Sequence, residues 1–277
     1  MAAGEQTPRQ GPDPLGAAQD AASDALGAAK DAAEAARGAA GDARRNAERQ
    51  LANARETASL AAAGVAYKLS QKPRLRGVSH QWAFFISLGA GIALILAAHG
   101  GKEVLAATIY AFSLSALLGT SALYHRVTWQ PEARRWMRRL DHTMIFVLIA
   151  GTYTPFCLLV MDGTLADVVL IVVWASALAG AILNLVWIDA PKWFTTAVYI
   201  STGWAAIAAM PQLWEEIGPV GVGMIALGGA LYTAGALVYA LRRPDPNPQV
   251  FGYHEIFHLL VIAAAAIQYA VIAIYAL

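Results

Sequence analysis

The chain has 277 residues, 57% of them hydrophobic and 14% charged, with a formal net charge of +1. Soluble domains carry about 25% charged residues, so the composition argues against an ordinary water-soluble globule. The near-neutral balance argues against a nucleic-acid partner drawn by bulk charge, and the single cysteine, Cys157, excludes an internal disulfide.

Residues 1–76 are Ala-rich, with Asp, Arg and Glu interspersed. Ala, Arg and Glu favour helix, but Leu15, Leu26, Leu51 and Leu60 are too sparse to build a core. The segment is therefore predicted to be a polar cytoplasmic tail, disordered or loosely helical. A helix on the membrane surface and a partner-binding coiled coil are the alternatives. The opening MAAGEQTPRQ has no apolar core of the kind a cleaved signal needs. Membrane insertion is thus expected to rest on later segments.

Residues 77–277 are predicted to fold as an all-α integral membrane bundle of seven transmembrane helices. From Gln81 onward, apolar stretches alternate with short polar loops, and about 20 helical residues span the hydrocarbon. The predicted spans are 81–99, 103–124, 140–161, 165–187, 193–213, 218–241 and 254–276. Their continuous apolarity favours helices over the alternating strands of a barrel. Trp82, Trp187, Trp193 and Trp214 fall at span ends, where amphipathic rings favour the headgroup zone. Gly228, Gly229 and Gly235 predict close helix packing in the sixth span, and Pro155 a kink in the third.

Basic residues set the orientation. Lys72, Arg74 and Arg76 precede the first span, and Arg126, Arg134, Arg135, Arg138 and Arg139 lie between the second and third. Lys192, Arg242 and Arg243 follow on the same side, against Lys102 alone on the other. The amino terminus is predicted to be cytoplasmic. An odd number of spans then puts the carboxyl terminus outside, in the plasma membrane.

Ionisable groups inside spans cost about 2.5–3.5 kcal/mol on insertion scales and call for a reason. His254 and His258 open the last span four residues apart, so both imidazoles lie on one helix face, in a zinc-ligand geometry. His125 closes the second span with Ser121 one turn before it, and Asp141 opens the third. The three His and Asp141 are predicted to lie at one membrane depth. Three neutral His leave zinc one open position for water, and a nearby carboxylate would orient that water. Taken singly, His125 reads as a helix-end residue, Asp141 as a first-turn acid favoured by the helix dipole, and Ser121 as a packing residue. His80, His99 and His142 read as interfacial.

At these residues the sequence resembles the hemolysin III family, the bacterial branch of the progestin and adipoQ receptor superfamily. Four stretches carry the likeness: Ser121-Ala-Leu-Tyr-His125; Asp141-His142 through Ile149-Ala-Gly-Thr-Tyr-Thr-Pro155; Gly228-Gly-Ala-Leu-Tyr232; and Phe251-Gly-Tyr-His254-Glu-Ile-Phe-His258. The resemblance covers about residues 75–277. It implies seven helices with a cytoplasmic amino terminus, and zinc held by His125, His254 and His258 with Asp141 and Ser121 close to the metal-bound water. It also implies kinship with the alkaline ceramidases.

Three functions compete. A zinc-dependent hydrolase of a lipid amide or ester would use Asp141 as general base and Ser121 to hold the water or an oxyanion, with membrane lipid as substrate. A sensor or receptor would hold structural zinc in a closed shell. A membrane-lysing pore is disfavoured, because no span is lined with regularly spaced charges. Residues 254–258 also fit the H-E-x-x-H pattern of metalloproteases, and Asp162-Gly163 offers an acidic partner. That pair is expected on the opposite membrane side, which excludes it.

Overall fold

The computed structural model describes residues 14–70 and 73–277. The start of the expected tail and Lys72 lie outside the described residues. The chain divides into two units, residues 1–70 and 71–277.

The described part of the first unit is one helix, α1 (Pro14–Ser70). At about 1.5 Å per residue it is roughly 86 Å long. Its continuity has a sequence basis: Gly16, Gly27 and Gly38 recur every eleven residues, as do Asp20, Asp31 and Asp42. Eleven residues make about three helical turns, so the repeat keeps each residue type on one slowly drifting face. Arg44–Glu48 and Arg45–Asp42 pair along the helix, while Leu26, Leu51 and Leu60 stay exposed. Of the segment predicted as a polar tail, disordered or loosely helical, the described residues 14–70 form this one helix.

The second unit contains α2 (Val78–Ala97), α3 (Gly101–Arg126), α4 (Pro131–Pro155), α5 (Gly163–Val186), α6 (Lys192–Gly203), α7 (Met210–Leu241) and α8 (Tyr253–Val271). No strand occurs among the described residues; Asn247 and Phe251 form an isolated bridge. Successive helices α2 to α5 pack as neighbours, α7 packs along α8, and α8 returns against α2. Small side chains bring the backbones together: Ala106, Ala107, Ala150 and Ala264 have no exposed surface. A Cβ on Gly180 would collide with the Phe146 ring, and one on Gly228 would meet Gln268 of α8.

The outer surface is apolar. Ile86, Leu96, Phe112 and Val186 are exposed, an arrangement that lipid accommodates and water does not. Among the described residues, six helical stretches are long and apolar enough to cross a membrane, the longest covering 50 residues from Lys192 to Leu241. Trp82, Trp187, Trp193 and Trp214 are exposed near helix ends, as amphipathic anchors require.

Two boundaries differ from the sequence reading. Helix α4 starts at Pro131, with proline in its first turn and Glu132 beside it. Asp141 therefore lies ten residues inside the helix, and a first-turn dipole role no longer explains it. After Pro155 the helix widens into a π turn, Phe156–Val160, as expected where proline denies the backbone a donor. The Lys192–Leu241 stretch is also interrupted. It passes through a 3-10 segment, Ala205–Ala209, and then breaks inside α7 at Gly218, whose φ of 67° and ψ of −179° are non-helical. Such a conformation is essentially restricted to glycine, and Pro219 restarts the helix with its preset φ.

Candidate metal centre

The last turn of α3 and the first turns of α8 meet at one end of the bundle. His125 of α3 and His254 and His258 of α8 are all buried. Each offers a ring nitrogen, and the three nitrogens lie within 4.8 Å of one another. His125 Nε2 and His254 Nε2 are 3.1 Å apart. Two nitrogens of a tetrahedral metal at about 2.0–2.1 Å would be roughly 3.4 Å apart, so the closest pair already has ligand spacing. Among the described residues His258 Nδ1 is buried with no hydrogen-bond partner, and a buried polar atom without a partner calls for one. The three residues therefore fit a metal ion with a preference for imidazole.

The beginning of α8 is fixed by a polar network. Glu255 Oε2 accepts the Gly252 backbone N–H at 2.7 Å, and Asp245 Oδ1 accepts that of Tyr253 at 2.9 Å. Arg76 Nε donates to Glu255 Oε1 at 2.5 Å. The segment before α2 joins the same loop, with Arg74 N donating to Gln249 O and Leu75 N to Val250 O. Both oxygens of Glu255 are thereby engaged in holding the helix start, and Asp162 is at the opposite end of α4, just before α5. Neither residue is positioned for metalloprotease chemistry.

Asp141 reaches the cluster from α4. Its Oδ2 is 3.9 Å from His125 Nε2 and 3.8 Å from His142 Nδ1, and Ser121 lines the same cavity. The five residues singled out in the sequence thus converge on one place. They line the polar end of a cavity of about 430 Å³. The cavity lining continues along α4 from Arg138 through Ile149 and on to Cys157 in the π turn, about 28 Å at 1.5 Å per residue. Its far end is walled by apolar side chains such as Met161, Ala209 and Leu213.

Three contributors escaped the sequence reading. His80, expected at the interface, is instead buried on α2 and stacked on His258, with ring centroids 3.7 Å apart and planes within 6°. His142 is also drawn inside, lining the cavity with Nδ1 2.8 Å from Arg138 O, whereas His99 is exposed. The available signal for His80 was its place at the same end of the bundle as the other imidazoles. The third contributor is Gly77, with φ of 78°. A Cβ there would lie 2.6 Å from the His125 Cβ. Gly77→Ala should therefore lose about 1–3 kcal/mol of stability through left-handed strain and collision. A thermal melt should shift downward and metal retention should fall with it; an unchanged melt would mean that α2 yields without cost.

A bundle of apolar helices with three imidazoles buried at one end defines a multi-pass helical membrane protein with a candidate metal centre. The haemolysin-III related family model matches residues 69–269, and the chain belongs to that family. It is 32% identical over 203 residues to Hemolysin-3 of Bacillus cereus, covering 72% of this chain and 90% of that protein. More distant similarity extends to the Monocyte to macrophage differentiation factor of Homo sapiens, 27% identical over 171 residues, 60% of this chain and 68% of that one. It extends also to the Adiponectin receptor protein of Drosophila melanogaster, 29% identical over 183 residues, 57% of this chain and 40% of that one. These relatives place the family in the progestin and adipoQ receptor superfamily.

Proposed function

We propose that the protein is a plasma-membrane hydrolase that holds zinc with His125, His254 and His258 and cleaves an amide or ester bond of a membrane lipid. The observation that carries this reading is the Asp141 carboxylate, 3.9 Å from a ligand imidazole, at the polar end of a cavity that is otherwise apolar. An amphiphile fits such a cavity with its polar bond at the histidines and its chain among the apolar walls. Bound there, zinc would acidify a water molecule and polarise a carbonyl. Asp141 accepts a proton at Oδ2, and Ser121 orients the carboxylate or donates to a developing oxyanion. The apolar walls hold the chain and exclude bulk water. The test is metal analysis of the detergent-purified protein, followed by lipid-product analysis with and without chelator. Zinc near one per chain with chelator-sensitive release of fatty acid supports the reading; a metal-free active protein overturns it.

The same distance supports a second reading, a sensor with structural metal, because a small movement would let Asp141 close the coordination shell.

The proposal includes seven crossings with a cytoplasmic amino terminus. The 50-residue stretch from Lys192 to Leu241 would extend about 75 Å as one helix, more than twice a hydrocarbon core of roughly 30 Å. The break at Gly218 divides it into two lengths that each suit one crossing. The basic residues in the first turns of α4, Arg134, Arg135 and Arg138, favour the cytoplasmic side. A reporter fused after Leu277 should be active only outside the cell; activity inside would mean an even number of crossings.

A further inference from the structure

The polar end of the cavity is lined by more positive charge than its own carboxylates balance. Arg76, Arg134, Arg138 and Lys192 all line it, and Asp141 is the acidic residue beside them. Two of the cations are already engaged. Arg76 pairs with Glu255, and Arg138 donates to Asp189 Oδ1 at 2.9 Å and to Ile188 O at 3.1 Å. Lys192 and Arg134 are different. Among the described residues neither forms an ion pair with a carboxylate. Lys192 Nζ sits 4.4 Å over the Tyr239 ring and 5.8 Å from that of Tyr253. The Arg134 guanidinium carbon is 6.0 Å from the Tyr124 ring. Lys192 also feels the like charges of Arg242, Arg138 and Arg76.

Like charges gathered at a low-dielectric opening repel one another and attract an anion. Aromatic faces hold the two uncommitted cations in place without neutralising them. A ligand with a compact anionic group and a long apolar tail would satisfy both ends of the cavity, the group at the cations and the tail along α4.

We propose that the mouth of this cavity binds the phosphate-bearing head group of a lipid, with Lys192 and Arg134 as its direct partners and Arg76 and Arg138 supporting the positive field. Arg134 presents a planar fork of donors suited to phosphate oxygens, and Lys192 a mobile point charge. The proposal goes beyond the hydrolase reading and does not require turnover: it concerns which head group the cavity admits.

The experiment uses the full-length protein in neutral phosphatidylcholine nanodiscs, with an uncleavable ether-linked probe, 1-alkylglycerol 3-phosphate. Its binding is compared with that of 1-alkylglycerol and of inorganic phosphate. The phosphate-bearing lipid should bind at least about tenfold more tightly than the uncharged one, with affinity falling as salt rises. Lys192→Gln and Arg134→Gln should each remove several-fold of that preference, and the double variant most of it. Arg135→Gln, an exposed change outside the cavity lining, should leave it intact. Equal binding of the two lipids, equal loss with Arg135→Gln, or inorganic phosphate binding as tightly as the lipid would each overturn the proposal. The last outcome would indicate a free-anion site. Repeating the titration in chelator separates the two readings. Absence of zinc sinks the hydrolase, whereas a phosphate preference that survives metal removal belongs to the cations, and one that vanishes with the metal refutes their role.

Discussion

Replacing His258 with alanine should weaken zinc binding more than about 100-fold, past the 10–100-fold range expected when an outer partner of a ligand is lost. The reason is geometric. His258 comes from α8 one turn after His254, and the two imidazoles meet His125 of α3 in a buried space where the nitrogens lie within 4.8 Å. Deleting one ring leaves two ligands from different helices and a void that water cannot fill with equivalent basicity. His125→Ala and His254→Ala should behave alike, because no residue in the group is a spare. His80→Phe provides the contrast. A phenyl ring preserves the stack on His258, whose ring lies 3.7 Å away, so zinc should stay bound with at most the loss of an outer partner. Metal content after gel filtration reads all four variants. Full zinc in any two of the alanine variants would show that the site is misassigned; a His80→Phe protein as empty as His258→Ala would make His80 a ligand.

Asp141→Asn should abolish most lipid hydrolysis while leaving zinc in place, with a fall of about 10²–10⁴-fold, the usual contribution of general acid–base catalysis. Asparagine keeps the shape of the carboxylate but offers no basic oxygen to accept the proton. Three imidazoles remain for the metal. The variant also separates the two readings of the site. If Asp141 completes a structural shell, the same change should lower zinc affinity and thermal stability together. If neither activity nor metal moves, Asp141 has no part in the centre. A dipole effect cannot account for a large change, because Asp141 is ten residues inside α4, which begins at Pro131, and the helix dipole acts mainly on the first turn.

The candidate site was legible residue by residue because polar groups in apolar segments stand out. His125, Asp141 and His254 stand at the ends of long apolar segments that the basic loop residues place on one membrane side, and the four-residue spacing of His254 and His258 implies a shared helix face without reference to any partner. Ser121 was legible for the same periodic reason. His80 was not. It lies close to the end of an apolar segment, where a histidine is unremarkable, and its significance arises from a ring on a helix 178 residues later. Glu255 shows the converse. Its place in an H-E-x-x-H pattern suggests chemistry, yet Arg76 and the Gly252 N–H take both of its oxygens.

Local composition and periodicity by themselves determined that the second unit is helical and membrane-spanning, because a lipid solvent requires each segment to satisfy its own backbone and to be apolar along its length. They also determined which side chains were out of place there. Only the tertiary structure decided how those side chains meet. Gly77 adopts a left-handed conformation against His125, and the α7–α8 loop pairs with Arg74 and Leu75. Contacts between helices depend on close approach of residues far apart in sequence, and a periodic pattern contains no distance between one segment and another.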